Sequence, residues 1–235
     1  MERFKELIQK VKTSKKYDGF FDKIELDHIN QPLIYQWYEA YEQAFQCLDS
    51  ESWNILSTKA IEHYRQHRDG QLKEAFYNQL NEAFAYQYLL NQGYKNITIL
   101  DDSAKKKKIP DLSYEVLGKQ FYCEVKSIGL SVDELNRNQS GESYDGSVYY
   151  SLQEGFFSKL KIKFDEATIQ ISQYGEGLIF IYIPSFDDFT HMYYNRYREQ
   201  IINFIASCEI IEVYIKIGIL GNFIHKKRNG EIIFS

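Results

Sequence analysis

The chain has 235 residues, 44% of them hydrophobic and 26% charged, with 28 Lys and Arg against 33 Asp and Glu and a formal net charge of -5. That length can bury a substantial core, and the balance of apolar and charged residues excludes a disordered polymer. The negative sum weighs against binding nucleic acid by charge alone, although basic residues cluster at 105–108 and at Lys226, Lys227 and Arg228.

Up to about residue 70 the pattern is helical. Phe4, Leu7, Ile8 and Val11 share one helix face, and a second helix carries Leu33, Ile34, Trp37, Tyr38, Tyr41, Phe45 and Leu48 behind Pro32, which suits a first turn. Helical spacing makes this aromatic stripe a packed face in preference to a base-stacking surface. A strong helix follows over 71–91, closed by Gly93. The period then changes, predicting strands over 94–100, 111–116 and 120–127, the last two joined by a hairpin turn near Gly118.

The polar stretch 128–155 reads as a functional loop or a disordered segment, with a short helix at 132–136. A helix over 156–172, a continuous apolar strand over 178–183, a helix over 189–207 and strands over 212–219 and 232–234 complete the chain. The expected fold is α/β, a mixed central sheet flanked by helices, with a helical N-terminal extension over 1–70 preceding the domain at 71–235.

No basic end precedes an apolar run at the N-terminus, no stretch approaches a membrane span, and Cys47, Cys123 and Cys208 lack metal or disulfide spacing. These features fit a reducing cytoplasm and no membrane. No phosphate-binding glycine motif is present, and the histidines show no third ligand at metal spacing; His63 and His67, one helical turn apart, read as a surface helix face.

The chemistry concentrates in the hairpin. If its turn is centred on Gly118 and Lys119, residues whose numbers sum to about 237 face one another, which sets Asp111 opposite Val125 or Lys126. Alternation puts Glu124 and Lys126 on one face, with Phe121, Cys123 and Val125 on the core face. A solvent-facing ion-pair cluster would show the same residues.

Pro110-Asp111, twelve residues, then Glu124-Val125-Lys126 resembles the motif of the PD-(D/E)XK nuclease superfamily, and Glu82 lies on the preceding helix where many of its branches place a glutamate. The resemblance covers residues 71–183, about half the chain. It implies a restriction-endonuclease-like fold and a magnesium- or manganese-dependent nuclease acting on nucleic acid, on DNA more than RNA because most of the family does. By the resemblance, Asp111, Glu124, the carbonyl of Val125 and Glu82 would hold the metal, while Lys126 would orient or deprotonate the attacking water. Lys163 and Gln170, seven apart on one helix, and Lys108 would contact substrate. Cutting both strands needs two sites, so a homodimer is compatible with this reading. The alternatives are a catalytically silent nuclease-fold binding or regulatory module, and a helical interaction protein whose hairpin charges are incidental.

Overall fold

In a computed structural model the chain is described except for residues 25–29, 67–72, 102–107, 141–144, 188–189, 211 and 220 and the side chains of 132, 138, 148 and 191. The described residues form an α/β fold. Its helices are α1 (Glu2–Thr13), α2 (Pro32–Cys47), α3 (Ser50–Glu62), α4 (Glu74–Leu80), α5 (Glu82–Asn91), α6 (Val132–Ser140), α7 (Glu154–Ser172) and α8 (Thr190–Ser207). The strands are β1 (Lys95–Ile99), β2 (Leu112–Val116), β3 (Lys119–Ser127), β4 (Gly177–Ile183), β5 (Val213–Ile217), β6 (Asn222–Lys226) and β7 (Ile232–Phe234), assigned to one mixed sheet in sequence order. The chain divides into two compact units, residues 1–121 and 122–235, taken in turn below.

In the first unit, helical spacing decides which residues are inside: Phe4, Leu7, Ile8 and Val11 of α1 and Tyr38, Tyr41 and Phe45 of α2 are buried. From Tyr38 on, the stripe is a packed face, as its spacing predicts, with the Phe4 and Tyr38 rings 4.8 Å apart, whereas Ile34 and Trp37 are half-buried and Leu33 is 75% exposed. The start of α1 lacks a side-chain cap of its own, and Glu42 of α2 supplies one: its carboxylate accepts the backbone N–H groups of Glu2 at 2.9 Å and Phe4 at 2.8 Å. Burial pushes the Glu42 carboxyl pKa up, but hydrogen bonds from Gln46 and these N–H groups outweigh it and hold the value below the ordinary one. Helix α3, which periodicity alone did not separate, begins at Asp49, whose side chain accepts Ser52 N–H at 2.7 Å.

The single helix expected over 71–91 is two helices broken at Asn81, with residues 71 and 72 outside the described part. Asn81 Oδ1 accepts the buried Tyr41 hydroxyl at 2.7 Å, and Phe84 N–H bonds back three residues to Asn81 at 3.1 Å, a tighter turn than the α-helix. The partner of Asn81 at the break is a side chain on α2, which no local signal foretells.

Lys73, ahead of α4, sits at φ 59, a left-handed conformation that costs a residue bearing a Cβ free energy, and its buried ammonium is held by Asp18 and lies 3.8 Å above the Tyr64 ring. Burial raises the Asp18 pKa, but hydrogen bonds from Lys73 and Tyr64 prevail and bring it to about 2. A carboxylate whose folded value lies below its unfolded value of about 3.9 contributes stability that is complete above pH 4 and lost as pH falls towards 2. Replacing Asp18 with Asn is thus expected to flatten the acid limb of the melting temperature between pH 4 and pH 2; an unchanged limb would show that this pair does not set it.

The turn joining β2 to β3 is Leu117-Gly118, with φ 51 and 80. Both residues in the left-handed region define the two-residue turn that matches strand twist. Its centre lies one residue earlier than Gly118-Lys119, so the sequence count that set Asp111 opposite Val125 or Lys126 was one residue too late. Tyr114 and Phe121, equidistant from this centre, stack at 5.8 Å.

In the second unit β3 pairs in parallel with β4 and β4 with β5, and β6 and β7 add antiparallel strands. Strand β6 was not expected; its five residues lack the alternation that marks β5. A Cβ at Gly177 would stand 1.9 Å from the Tyr122 carbonyl oxygen, so only glycine lets β4 enter the ladder beside β3. Ile179, Ile181, Ile183, Val213 and Ile215 pack under Leu160, Phe164 and Ile171 of α7 and Tyr197, Ile201 and Ile205 of α8. Leu178, Phe180 and Tyr182 are buried as well, which explains the unbroken apolar run of β4.

The polar stretch 128–155 is folded where it is described. Ser131 Oγ accepts Glu134 N–H at 3.0 Å and starts α6, which runs to Ser140 instead of ending at 136. Buried Glu134 takes Arg137 Nε at 2.9 Å, Arg137 lies 5.5 Å over the Tyr149 ring, and Leu152 N–H donates to Gln200 of α8 at 3.0 Å. These tertiary partners give the stretch a structure its composition does not announce. Among the described residues no helix is long and apolar enough to cross a membrane.

Candidate active site

Side chains level on adjacent strands share a sheet face, and the β3–β4 register sets Glu124 level with Ile179 and Lys126 level with Ile181. Both isoleucines belong to the core under α7 and α8, so the charged pair shares the helix-covered face. Glu124 is accordingly 1% exposed, and Lys126 Nζ donates to its Oε1. Cys123 on the opposite face is also buried, while Val125 is half-buried. Glu124 and Lys126 share one face and Cys123 and Val125 the other, as alternation predicts; the core is not confined to the Cys123 face, since Glu124 and Cys123 are both buried.

An isolated carboxylate in such a place would cost several kcal/mol, and a hydrogen-bonded lysine recovers part of that cost. Tyr122 N–H bonds to Glu176 O at 3.0 Å and Ile128 N–H to Tyr182 O at 2.9 Å, so even-numbered residues turn their peptide groups to β4. The Val125 carbonyl points away from β4.

In the first unit Asp111 lies just before β2 instead of opening it, and is half-buried. Its carbonyl accepts Leu100 N–H at 2.8 Å, one step beyond the paired residues Ile99 and Leu112, so the end of the β1–β2 ladder fixes its backbone. Glu82, the first residue of α5, is 1% exposed, and Lys59 Nζ of α3 lies 2.6 Å from its Oε1. Lys59 itself is 7% exposed. Sequence reading passed over Lys59, since nothing in its neighbourhood distinguishes it from a solvated helix lysine.

The residues expected to contact substrate are less distinctive. Lys163 and Gln170 are half-buried beside the core stripe of α7, and Lys163 pairs with Glu166 one turn away at 2.9 Å. Lys108 is exposed, while 105–107 lie outside the described residues. The second basic cluster is engaged within the fold: Lys226 caps the end of α8 through the carbonyls of Ile205 at 2.9 Å and Cys208 at 2.8 Å, Lys227 pairs with Glu231, and Arg228 bridges Glu212 and Glu176. Burial raises the Glu212 carboxyl pKa, but His225 and Arg228 more than reverse this and hold it below the ordinary value. His63 is half-buried and its Nδ1 lies 2.8 Å from Gln66 Oε1, while His67 lies outside the described residues.

Oxygen donors of this kind, carboxylates and one backbone carbonyl, match the chemistry of a hard cation such as magnesium or manganese. Among the described residues no three His, Cys, Asp or Glu side chains form a metal-binding group. Compared with protein-family models, curated proteins and solved structures, the chain matches none.

Proposed function

We propose that the chain is a nuclease of the PD-(D/E)XK type, hydrolysing phosphodiester bonds in nucleic acid, DNA in preference to RNA, with magnesium or manganese. The observation that carries this reading is the burial of Glu124 with its carboxylate against Lys126, two residues along the same strand. A solvent-facing ion-pair cluster, the plain explanation for these residue types, would leave the carboxylate in water. A carboxylate and an amine held together under a helix layer are costly to keep, and such groups concentrate where chemistry is done.

In this reading Asp111, Glu124, the Val125 carbonyl and Glu82 would hold the cation, and Lys126 would orient the attacking water or, in its neutral form, accept a proton from it. A bound magnesium or manganese ion would supply neutralisation of the phosphate oxygens and a lowered pKa of its own water. The chain's residues provide position. Asp111 is fixed by the end of a strand ladder, Glu124 by its neighbour Ile179, and Glu82 by the ion pair to Lys59.

The second reading is a catalytically silent binding or regulatory module on the nuclease fold. Incubation of the full chain with plasmid and oligonucleotide substrates separates the two. Cleavage with magnesium or manganese that stops on adding EDTA is expected; substrate retained intact at every cation concentration, with or without binding, would exclude the nuclease.

A further inference from the structure

In the second unit Arg137 and Arg228 are paired with carboxylates, whereas Arg198 of α8 has no carboxylate within ion-pair reach among the described residues. Its guanidinium is nevertheless held in place. It lies 4.5 Å over the Phe234 ring of β7 and 5.5 Å over the ring of Tyr194, one helical turn back, whose hydroxyl it hydrogen-bonds. That hydroxyl donates in turn to the Ser235 carbonyl at 2.7 Å. Arg198 Nε is buried without a hydrogen-bond partner. An N–H left unbonded and a charge left unneutralised cost stability, and an anion brought to the terminal nitrogens would offset that cost.

The strand register places this cation relative to Lys126. Lys126 is level with Ile181, Ile181 with Ile215, Ile215 with Ile224 and Ile224 with Phe234, one row across one face of the sheet. Four strand spacings of about 4.8 Å set the ends of the row roughly 19 Å apart, a span of about six nucleotides at about 3.4 Å each. Phe234 is 50% exposed, so the guanidinium takes one face of the ring and leaves much of the rest to solvent. A forked cation beside an open aromatic ring matches a nucleic-acid strand, which offers a phosphate to the fork and a base to the ring. A free phosphate would use the guanidinium alone. We propose that Arg198 and Phe234 grip single-stranded nucleic acid, Arg198 on a phosphate and Phe234 on a base, at the sheet edge remote from Lys126. The inference rests on the nuclease reading for the identity of the strand, and it requires no catalysis.

The test measures binding of a fluorescent single-stranded oligonucleotide longer than this span, and of the same sequence as a duplex, by anisotropy in EDTA so that no cleavage competes. The full chain is compared as wild type, Arg198→Met, Phe234→Ala and Lys161→Met, with folding followed by circular dichroism. Arg198→Met is expected to weaken single-strand binding and to reduce the slope of log affinity against log salt by about 0.7, the share of one phosphate. Phe234→Ala should weaken single-strand binding at least about fivefold through the loss of one stacked base, with duplex binding unchanged. Lys161, exposed and paired with Asp165, provides the control, and its variant should bind as wild type does. Arg198→Gln removes the same charge and decides the matter if the methionine variant does not fold. An unchanged salt slope in the folded Arg198 variant, an equal loss for Lys161→Met, or wild type with no affinity for the strand would overturn the grip. So would a loss in Arg198→Met with Phe234→Ala at wild-type affinity, which would leave a site for a lone anion. Failure of the nuclease reading looks different: wild type then holds the strand with the same dependence on Arg198 and leaves it uncut when magnesium is added.

Discussion

Glu124→Gln is expected to lower metal-dependent cleavage by about 10²- to 10⁴-fold, the range over which positioned ionic groups act on a chemical step. Glutamine keeps the shape and an acceptor oxygen for Lys126, so the change removes charge with little change in packing. A folded protein is therefore the expected background, with a stability loss of about 1–3 kcal/mol for the poorer partner of a half-buried ammonium. Lys126→Ala should show a loss of cleavage of similar size for a different reason, since it removes the group that orients the attacking water. Both variants are to be compared by initial rate at saturating magnesium, with thermal melts beside them. Should folded Glu124→Gln cleave at the wild-type rate, the buried pair would be structural and the proposed function would fall.

Phe164→Ala should cost about 3–5 kcal/mol of stability, the usual range for removing a buried aromatic ring. Phe164 lies in the core stripe of α7 with Leu160, Ala167 and Ile171, against the isoleucines of β4 and β5, and its ring stacks 6.4 Å from that of Phe204. Stiff neighbours on a sheet cannot close the cavity, so the upper half of the range is expected. Urea unfolding measures it: the midpoint should fall with the slope unchanged, and if two transitions appear, the one belonging to residues 122–235 should move. Ile169→Ala, on the same helix but 62% exposed, provides the control, with a change within about 0.5 kcal/mol. Equal losses for the two variants would mean that α7 does not pack through the Phe164 face.

The elements that could be read from the chain are those whose signal is local. The buried positions of α1, the stripe of α2, the apolar run of β4 and the hairpin near Gly118 all follow from periods of two or of 3.6 residues and from one turn, and the spacing of Pro110-Asp111 and Glu124-Val125-Lys126 needs no structure to be seen. The same local logic placed the turn one residue late, because Leu117 gives no sign in its side chain that it will adopt a positive φ.

What the sequence by itself determined is therefore the identity and spacing of the charged residues and the strand and helix types that carry them. Tertiary structure alone decided their surroundings: that Glu124 is buried, through the parallel register with β4; that the helix before β1 breaks at Asn81, through Tyr41; and that Glu82 is paired, through Lys59. The reason is one of range. Periodicity reports which face of an element is apolar, whereas the partner of a buried charge 23 residues away depends on how two elements pack, and no pattern within either element encodes it.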